Sequence, residues 1–240
     1  MNWFESWFNT PYYHILYQNR DYQEAEYFIA HLLEELDLPA GSKIIDLACG
    51  EGRHSVFLNK KGFDVLGVDL SDESIAHNKQ FENETLHFQV QDMREPIDTE
   101  PVDAVLNLFT SFGYFDDEKD DARVFQAVAD VLKPDGYFVL DFLNHSFVRN
   151  TLTKTSSEQR GELHFDIQKK IEDNRVIKDI RFTDNGQNYH YQERVKLHTP
   201  EELVALAEKH GLEKLKIWGD YRLGGYTENS PRSIIWFRKK

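Results

Sequence analysis

The chain has 240 residues, enough for one α/β domain with a substantial buried core, and 40% hydrophobic with 13% aromatic content marks it as globular rather than disordered. A formal net charge of −14 surrounds it with a negative field that opposes contact with a phosphate backbone, so nucleic acid is not an expected partner. The single cysteine excludes a disulfide framework and a multi-cysteine metal site; with no signal-like start and no run near the ~20 apolar residues that cross a bilayer, a cytoplasmic protein without metal or membrane partner is expected.

In chain order, the aromatic stretch from Trp7-Phe8 to Ala25 leads into a helical pattern over Asp21 to Asp37, which stops before Pro39 and Gly41. Residues 1–40 are thus read as a helical cap. Ile44 to Leu47 is a short apolar strand with Asp46 at its carboxyl end, where an open parallel sheet exposes its ligand crevice. Gly50 and Gly52 then turn the chain, and a helix from Arg53 to Lys61 aims its unsatisfied N–H groups at whatever lies on that turn. The next strand, Phe63 to Asp69, ends in an acid placed to accept two ribose hydroxyls. Ser55 stands where a dinucleotide fingerprint has its third glycine, and no lysine follows Gly52 as a P-loop requires. An adenosine-type ligand that is neither dinucleotide nor triphosphate is implied.

Ser71 reads as the cap of a further helix. Leu86 to Val90, Ala104 to Leu108 and Gly136 to Phe142 are buried strands, with Glu118 to Leu132 as a helix between the last two, which makes a doubly wound parallel sheet. Thr153 to Arg160 is polar and reads as a flexible connector. Beyond it, His164 to Glu172, Arg175 to Thr183 and Gln187 to Leu197 alternate apolar and polar residues around the turns Asp173-Asn174 and Asn185-Gly186. An antiparallel β insertion within residues 155–198 is predicted, followed by the helix Pro200 to His210.

Five segments in order carry a resemblance: Asp46-Leu47-Ala48-Cys49-Gly50-Glu51-Gly52, Asp69, Gln91-Asp92-Met93, Val102 to Asn107, and Leu132 to Leu140. The chain resembles the class I S-adenosylmethionine (SAM) dependent methyltransferases over Ile44 to about Phe142. The tail Gly211 to Lys240 continues the likeness with a final pair of strands. The amino-terminal piece and Asn107 to Phe115 are similar to a bacterial subgroup acting on small molecules. The resemblance implies a Rossmann-like doubly wound sheet, mostly parallel with an antiparallel final strand, spanning 1–240 as one domain. It implies SAM as cofactor and S-adenosylhomocysteine (SAH) as product, with a small-molecule methyl acceptor as partner. Asp46, Ala48, Gly50, Gly52 and His54 are its loop candidates, Asp69 and Leu70 its ribose candidates, and Gln91, Asp92 and Met93 bracket the adenine. Asn107 and Phe109 join them from the fourth strand, and Tyr13 and Arg20 from the amino-terminal piece, with Arg20 a possible partner of the methionine carboxylate or of Glu24 or Glu26.

A sulfonium methyl is already activated, so the protein must chiefly align a nucleophile and exclude water, and no fixed triad is required. The candidates near the reacting atoms are Tyr114, His145, Tyr191 and Glu193. Tyr189, Tyr191 and Glu193 share one strand face and Arg194 takes the other. The insertion is read as a substrate lid or, alternatively, as a homodimer interface. His14 and Arg232 are further ionic residues of interest, Arg232 as a clamp for an anionic substrate or a solvated loop residue. Asn107-Leu108-Phe109-Thr110 departs from the Pro-Pro tract of nucleic-acid and protein amide or amine methylation, which together with the acidic charge favours a small molecule; it leaves nitrogen, oxygen and carbon open as the accepting atom, with nitrogen or oxygen expected ahead of carbon. A non-catalytic SAM-binding module, or action on protein or RNA, is the alternative.

Overall fold

The computed structural model describes residues 3–17 and 22–240. Three helices, α1 (Trp3–Phe8), α2 (Pro11–Tyr17) and α3 (Tyr22–Leu36), precede β1 (Lys43–Leu47), α4 (Arg53–Lys60), β2 (Asp64–Asp69) and α5 (Asp72–Asn78). Then come β3 (Leu86–Val90), β4 (Val102–Asn107), α6 (Glu118–Val131), β5 (Leu132–Leu143) and α7 (His145–Thr151). The insertion supplies β6 (Thr155–Arg160), β7 (Leu163–Glu172), β8 (Arg175–Asp184) and β9 (Gln187–Lys196), and α8 (Pro200–Lys209), β10 (Leu212–Trp218) and β11 (Arg232–Lys239) close the chain.

The main sheet runs β10-β11-β5-β4-β1-β2-β3, parallel except for β11, which pairs antiparallel with both neighbours. The reversal of strand order at β1 and β4 opens a crevice at their carboxyl ends, the usual ligand position of such sheets. Apolar layers cover both faces. One joins Val124, Phe125 and Val128 of α6 and Leu203 of α8 to Phe138 and Phe237; the other joins Phe28, Ile29 and Leu32 of α3 and Leu58 of α4 to Ile44, Val65 and Val139. The helix starts follow capping chemistry: the Ser71 hydroxyl accepts from Ser74 N–H at 3.1 Å, and Thr199 and Glu202 form a reciprocal capping box.

The second sheet, β6-β7-β8-β9, is antiparallel throughout. Its hairpins turn where the sequence places them: Asp173 and Asn174 (φ 48° and 57°) and Asn185 and Gly186 (φ 48° and 76°) take the double positive φ of a tight turn matched to strand twist. The expectation of a flexible connector at Thr153 to Arg160 is corrected. Thr155 to Arg160 form β6, in register with Gln168 to Leu163 of β7, because alternate residues of this polar segment still complete a ladder. One face of the sheet carries Phe165, Ile167, Ile180 and Phe182 and buries them against Trp7 and Leu16 of the amino-terminal helices. The opposite face is polar, with His190 to Asp179 at 2.8 Å and Lys170 to Glu172 at 2.5 Å.

Candidate active site

The crevice floor is the turn between β1 and α4. Ala48, Gly50 and Gly52 all adopt left-handed backbone (φ 63°, 53° and 70°), folding five residues into a shallow cradle. At Gly52 an added Cβ would lie 2.8 Å from Phe88 and 2.9 Å from Asn78, so packing alone demands glycine. At Gly50 a Cβ meets nothing within 4 Å, so the bare backbone there opens onto free space. The cradle is fixed from below: Cys49 N–H donates to Val68 O at 2.9 Å, and Asn78 Nδ2 to Gly50 O at 2.7 Å. Cys49 is buried, and burial pushes its thiol well above the usual range, so it fills space without reactivity.

Asp69 ends β2 beside this cradle. Its Oδ2 accepts from Gly50 N–H at 2.8 Å and its Oδ1 from Ser71 N–H at 2.9 Å, which clamps the carboxylate with one oxygen on each backbone segment. Burial raises its pKa against the opposing pull of these backbone donors. Asp46 lies deeper, 2% exposed, with Ser55 Oγ donating to its Oδ2 at 2.6 Å. Burial, opposed by the Ser55 hydrogen bond and reinforced by the Asp69 charge, lifts its pKa to about 6. Asp46 is absent from the cavity wall, so its part is to brace the cradle from beneath through Ser55. Ser55 thus has its own task at the position where a dinucleotide site has glycine.

The cavity walls gather most of the predicted residues: Ala48, Gly50, His54, Asp69 and Leu70 from the β1–β2 region, Gln91, Asp92 and Met93 after β3, and Phe109 and Tyr114 after β4. Asp92 is held by Arg94, whose Nη2 lies 2.6 Å from its Oδ2, and although burial opposes it, this partner keeps the carboxyl below the usual range. Phe109 (φ 58°) stacks on His54 with ring centroids 4.6 Å apart. The cavity contains about 1240 Å³ of atom-free space including its open mouth, ample for a ligand of several hundred Å³.

The roof comes from α1 and α2, which contribute Phe4, Phe8, Tyr13, His14 and Tyr17. Phe4 has no local signal in the sequence beyond the aromatic density of this segment, and Phe8 stands at the head of that stretch. His14 Nδ1 reaches Glu51 Oε1 of the cradle at 3.1 Å, joining roof to floor. The ring of Tyr114 packs edge-on against Trp3 and Phe8, and its hydroxyl donates to Thr110 O.

Other candidates lie elsewhere. His145 sits on α7, accepts from Arg149 Nε at 2.9 Å, and does not line the cavity. Tyr191 and Glu193 share the inner face of β9, as expected, but face the roof helices rather than the cavity: Tyr191 stacks on Trp7 at 4.4 Å, and Glu193 Oε1 accepts from Trp7 Nε1 at 2.8 Å and Tyr17 OH at 2.6 Å. The amino-terminal helices therefore intervene between insertion and crevice. Asn107 is buried and donates to Leu47 O at 2.8 Å, tying β4 to β1 behind the wall. Arg232 is not a freely solvated loop residue: its side chain is 14% exposed and its guanidinium is engaged by Asp141 at 2.7 Å, outside the lining of this cavity. Arg20 lies outside the described residues. Gly52 forms the end of the cradle. Among the described residues no cluster of metal-binding side chains occurs, and no helix is long and apolar enough to cross a membrane.

The arrangement suits SAM on its own geometry: a bare backbone at Gly50 facing open space, a clamped carboxylate at Asp69 for two hydroxyls, and apolar Leu70 and Met93 beside it for a flat base. Fold and site together define a Rossmann-like protein with an adenosine-ligand crevice at the ends of β1 and β2.

Residues 19–217 match the family described as a methyltransferase domain, and the chain belongs to that family. It is similar to a putative methyltransferase YqeM of Bacillus subtilis (strain 168), 40% identical over 110 residues covering 45% of this chain and 44% of that protein. It is also similar to the glycine/sarcosine N-methyltransferase of Aphanothece halophytica, 35% identical over 136 residues covering 54% and 49%. The chain thus spans about half the length of the curated relatives it matches. Among solved structures, an S-adenosylmethionine-dependent methyltransferase from Clostridium acetobutylicum ATCC 824 shares the fold at TM-score 0.79 and 21% identity, covering 95% of this chain and 96% of that one. The sugar N-methyltransferase KedS8 from Streptoalloteichus sp. ATCC 53650 does so at TM-score 0.74 and 20% identity, covering 95% and 92%.

Proposed function

We propose that this protein transfers the methyl group of SAM to an amine nitrogen of a small molecule, in line and under a closed aromatic roof. The observation that carries the reading is the juxtaposition of Asp69 and the bare Gly50 cradle with the rings of Phe8, Tyr13, Tyr17 and Tyr114 in one cavity. A sulfonium is a cation, and ring faces attract cations by about 0.5–1 kcal/mol at exposed sites and about 2 kcal/mol when desolvated. When bound, SAM supplies an electrophilic methyl on sulfur; the chain's residues do the rest. Asp69 accepts the ribose hydroxyls, and Leu70 and Met93 flank the base. The N–H groups at the start of α4 favour the carboxylate end. The roof excludes water and confines the acceptor, which is where alignment of two reactants contributes most to rate.

Nitrogen is preferred over oxygen because two kinds of similar protein, the glycine/sarcosine N-methyltransferase and the sugar N-methyltransferase, are named for amine acceptors. The cavity is also roofed by hydroxyl-bearing rings suited to an N–H donor. The test is transfer of labelled methyl from SAM to a panel of sarcosine, amino sugars and simple alkylamines. Label on an amine supports the reading. SAM binding with no transfer to any amine, or label only on hydroxyl compounds, protein or RNA, overturns it.

A further inference from the structure

We infer that Tyr17 is the proton acceptor for the incoming amine and that Glu193, behind it, is where the proton comes to rest. This rests on the amine reading above. Tyr17 lines the cofactor cavity, whereas Glu193 and Lys178 do not. Behind the roof the three form a compact cluster: Tyr17 OH donates to Glu193 Oε1 at 2.6 Å, Lys178 Nζ contacts the Tyr17 oxygen and sits over its ring at 4.6 Å, and Lys178 Nζ lies 3.5 Å from Glu193 Oε2. The Glu193 and Lys178 side chains are each only 15% exposed, so an ionic pair is held largely out of water behind the roof, against the desolvation that burial of charge imposes. Trp7 Nε1 also donates to Glu193 Oε1, at 2.8 Å, fixing the carboxylate so that it presents to Tyr17. Packing between α1, α2 and the insertion needs only apolar residues, which Phe165, Ile167 and Phe182 already supply. The charged cluster instead reaches the cavity lining through one residue, Tyr17.

An alkylamine arrives as an ammonium ion, which has no lone pair to attack a methyl group. In the inferred step the ammonium N–H proton passes to the Tyr17 oxygen while the Tyr17 hydroxyl proton passes to the Glu193 carboxylate. The amine becomes neutral with a free lone pair, Tyr17 is again a neutral phenol, and Glu193 is transiently a neutral acid, a state of higher energy than the ammonium form that is drawn forward by the methyl transfer consuming the amine. Lys178, against the phenol oxygen, stabilises the negative charge that develops there during the exchange. Glu193 later loses the proton by the reverse route to solvent.

The experiment compares propylamine, an ammonium at neutral pH, with methoxyamine, of similar size but already neutral, in wild type and Tyr17→Phe at saturating SAM. SAM and SAH affinities are measured by calorimetry on both proteins. The expected result is a fall in kcat of about a hundredfold for propylamine. Methoxyamine should change by less than about threefold, and cofactor affinities should be unchanged. Glu193→Gln should reproduce the propylamine loss. Equal losses on both amines would make Tyr17 a packing residue only and overturn the inference, as would an unchanged propylamine rate, while the amine reading survives in either case. Wild type labelling neither probe nor any amine of the panel overturns both.

Discussion

Asp141 and Arg232 form a buried ion pair, 2.7 Å from Oδ1 to Nη2, between the adjacent strands β5 and β11. The pair also holds the cavity wall. Asp141 Oδ2 accepts from Phe109 N–H at 2.7 Å, its carbonyl accepts from Thr110 N–H at 3.2 Å, and Arg232 Nη2 donates to Thr110 Oγ1 at 2.6 Å. These contacts keep two consecutive non-glycine residues, Phe109 and Thr110, in left-handed backbone (φ 58° and 64°), a conformation that persists only where its surroundings fix it. The consequence is the stacking of Phe109 on His54 at the crevice.

Arg232→Met should therefore act twice. Removing one partner of a buried pair costs about 3–5 kcal/mol because the other charge is left uncompensated, so urea unfolding should show a loss of that order. SAM affinity should fall as well, as Phe109 and Thr110 relax. Arg232→Met combined with Asp141→Asn keeps an acceptor for Phe109 N–H without a stranded charge and should recover part of the stability. A single variant as stable as wild type would remove the pair from this role.

Asp69 is the next test. Asp69→Ala removes a clamped ionised acceptor and should weaken SAM binding by at least about tenfold, or about 1.4 kcal/mol. Because burial raises the pKa of Asp69, wild-type affinity should begin to fall on acidification at a higher pH than an exposed aspartate would give, since only the ionised form accepts both hydroxyls. Calorimetry from neutral to acidic pH reads both effects. An affinity independent of pH, and equal in the variant, would refute the assignment.

Asp46 predicts the opposite trend, in stability rather than binding. Its folded pKa of about 6 lies above the unfolded aspartate value of about 3.9, so between these values the folded state binds more protons than the unfolded chain. Stability contributed by this group is then greatest at low pH and declines as pH rises through about 6. The full cost above that point is on the order of 2–3 kcal/mol. Asp46→Asn keeps an acceptor for Ser55 Oγ and removes the titration. Denaturant melts should show the variant more stable than wild type at pH 7.5, with the gap closing toward pH 4.

Much of this was legible in the sequence, and the division has a physical basis. The β1 turn, Asp69 and the hairpins are specified by local chemistry, namely glycine and asparagine at positive φ and an acid ending an apolar strand, so motif and place coincide. Asp141 was less visible because it lies within the apolar run from Tyr137 to Leu143. A lone charge there was the available signal, and its partner Arg232 is 91 residues away. The buried contact of Asp121 with Lys196 at 2.6 Å, which joins α6 to the end of the insertion, is likewise set by tertiary pairing and not by any local pattern. What the insertion covers was illegible for a related reason. Strand alternation correctly put Tyr191 and Glu193 on one face, but periodicity cannot say which element covers that face, and α1 and α2 do.

That layering changes what disrupting the insertion should do. If residues 155–198 were a free flap over the acceptor, their contacts would matter to the acceptor alone. Instead the inner face of the sheet carries the roof: Trp7 is 1% exposed, stacked on Tyr191 and bonded to Glu193, while Tyr12 OH donates to Asp184 Oδ2 at 2.8 Å. The residues that close the cofactor cavity, Phe8, Tyr13 and Tyr17, sit on the same two short helices. Helices of six and seven residues have no independent stability in water and depend on this packing. Trp7→Ala should forfeit about 3–5 kcal/mol of local packing, enough to release α1 and α2 while β1 to β5 remain folded. The expected outcome is faster amide exchange confined to residues 3–17, weaker SAM binding through loss of the roof, and main-sheet amides protected as in wild type. Uniformly faster exchange across the main sheet would show instead that roof, insertion and sheet unfold as one unit.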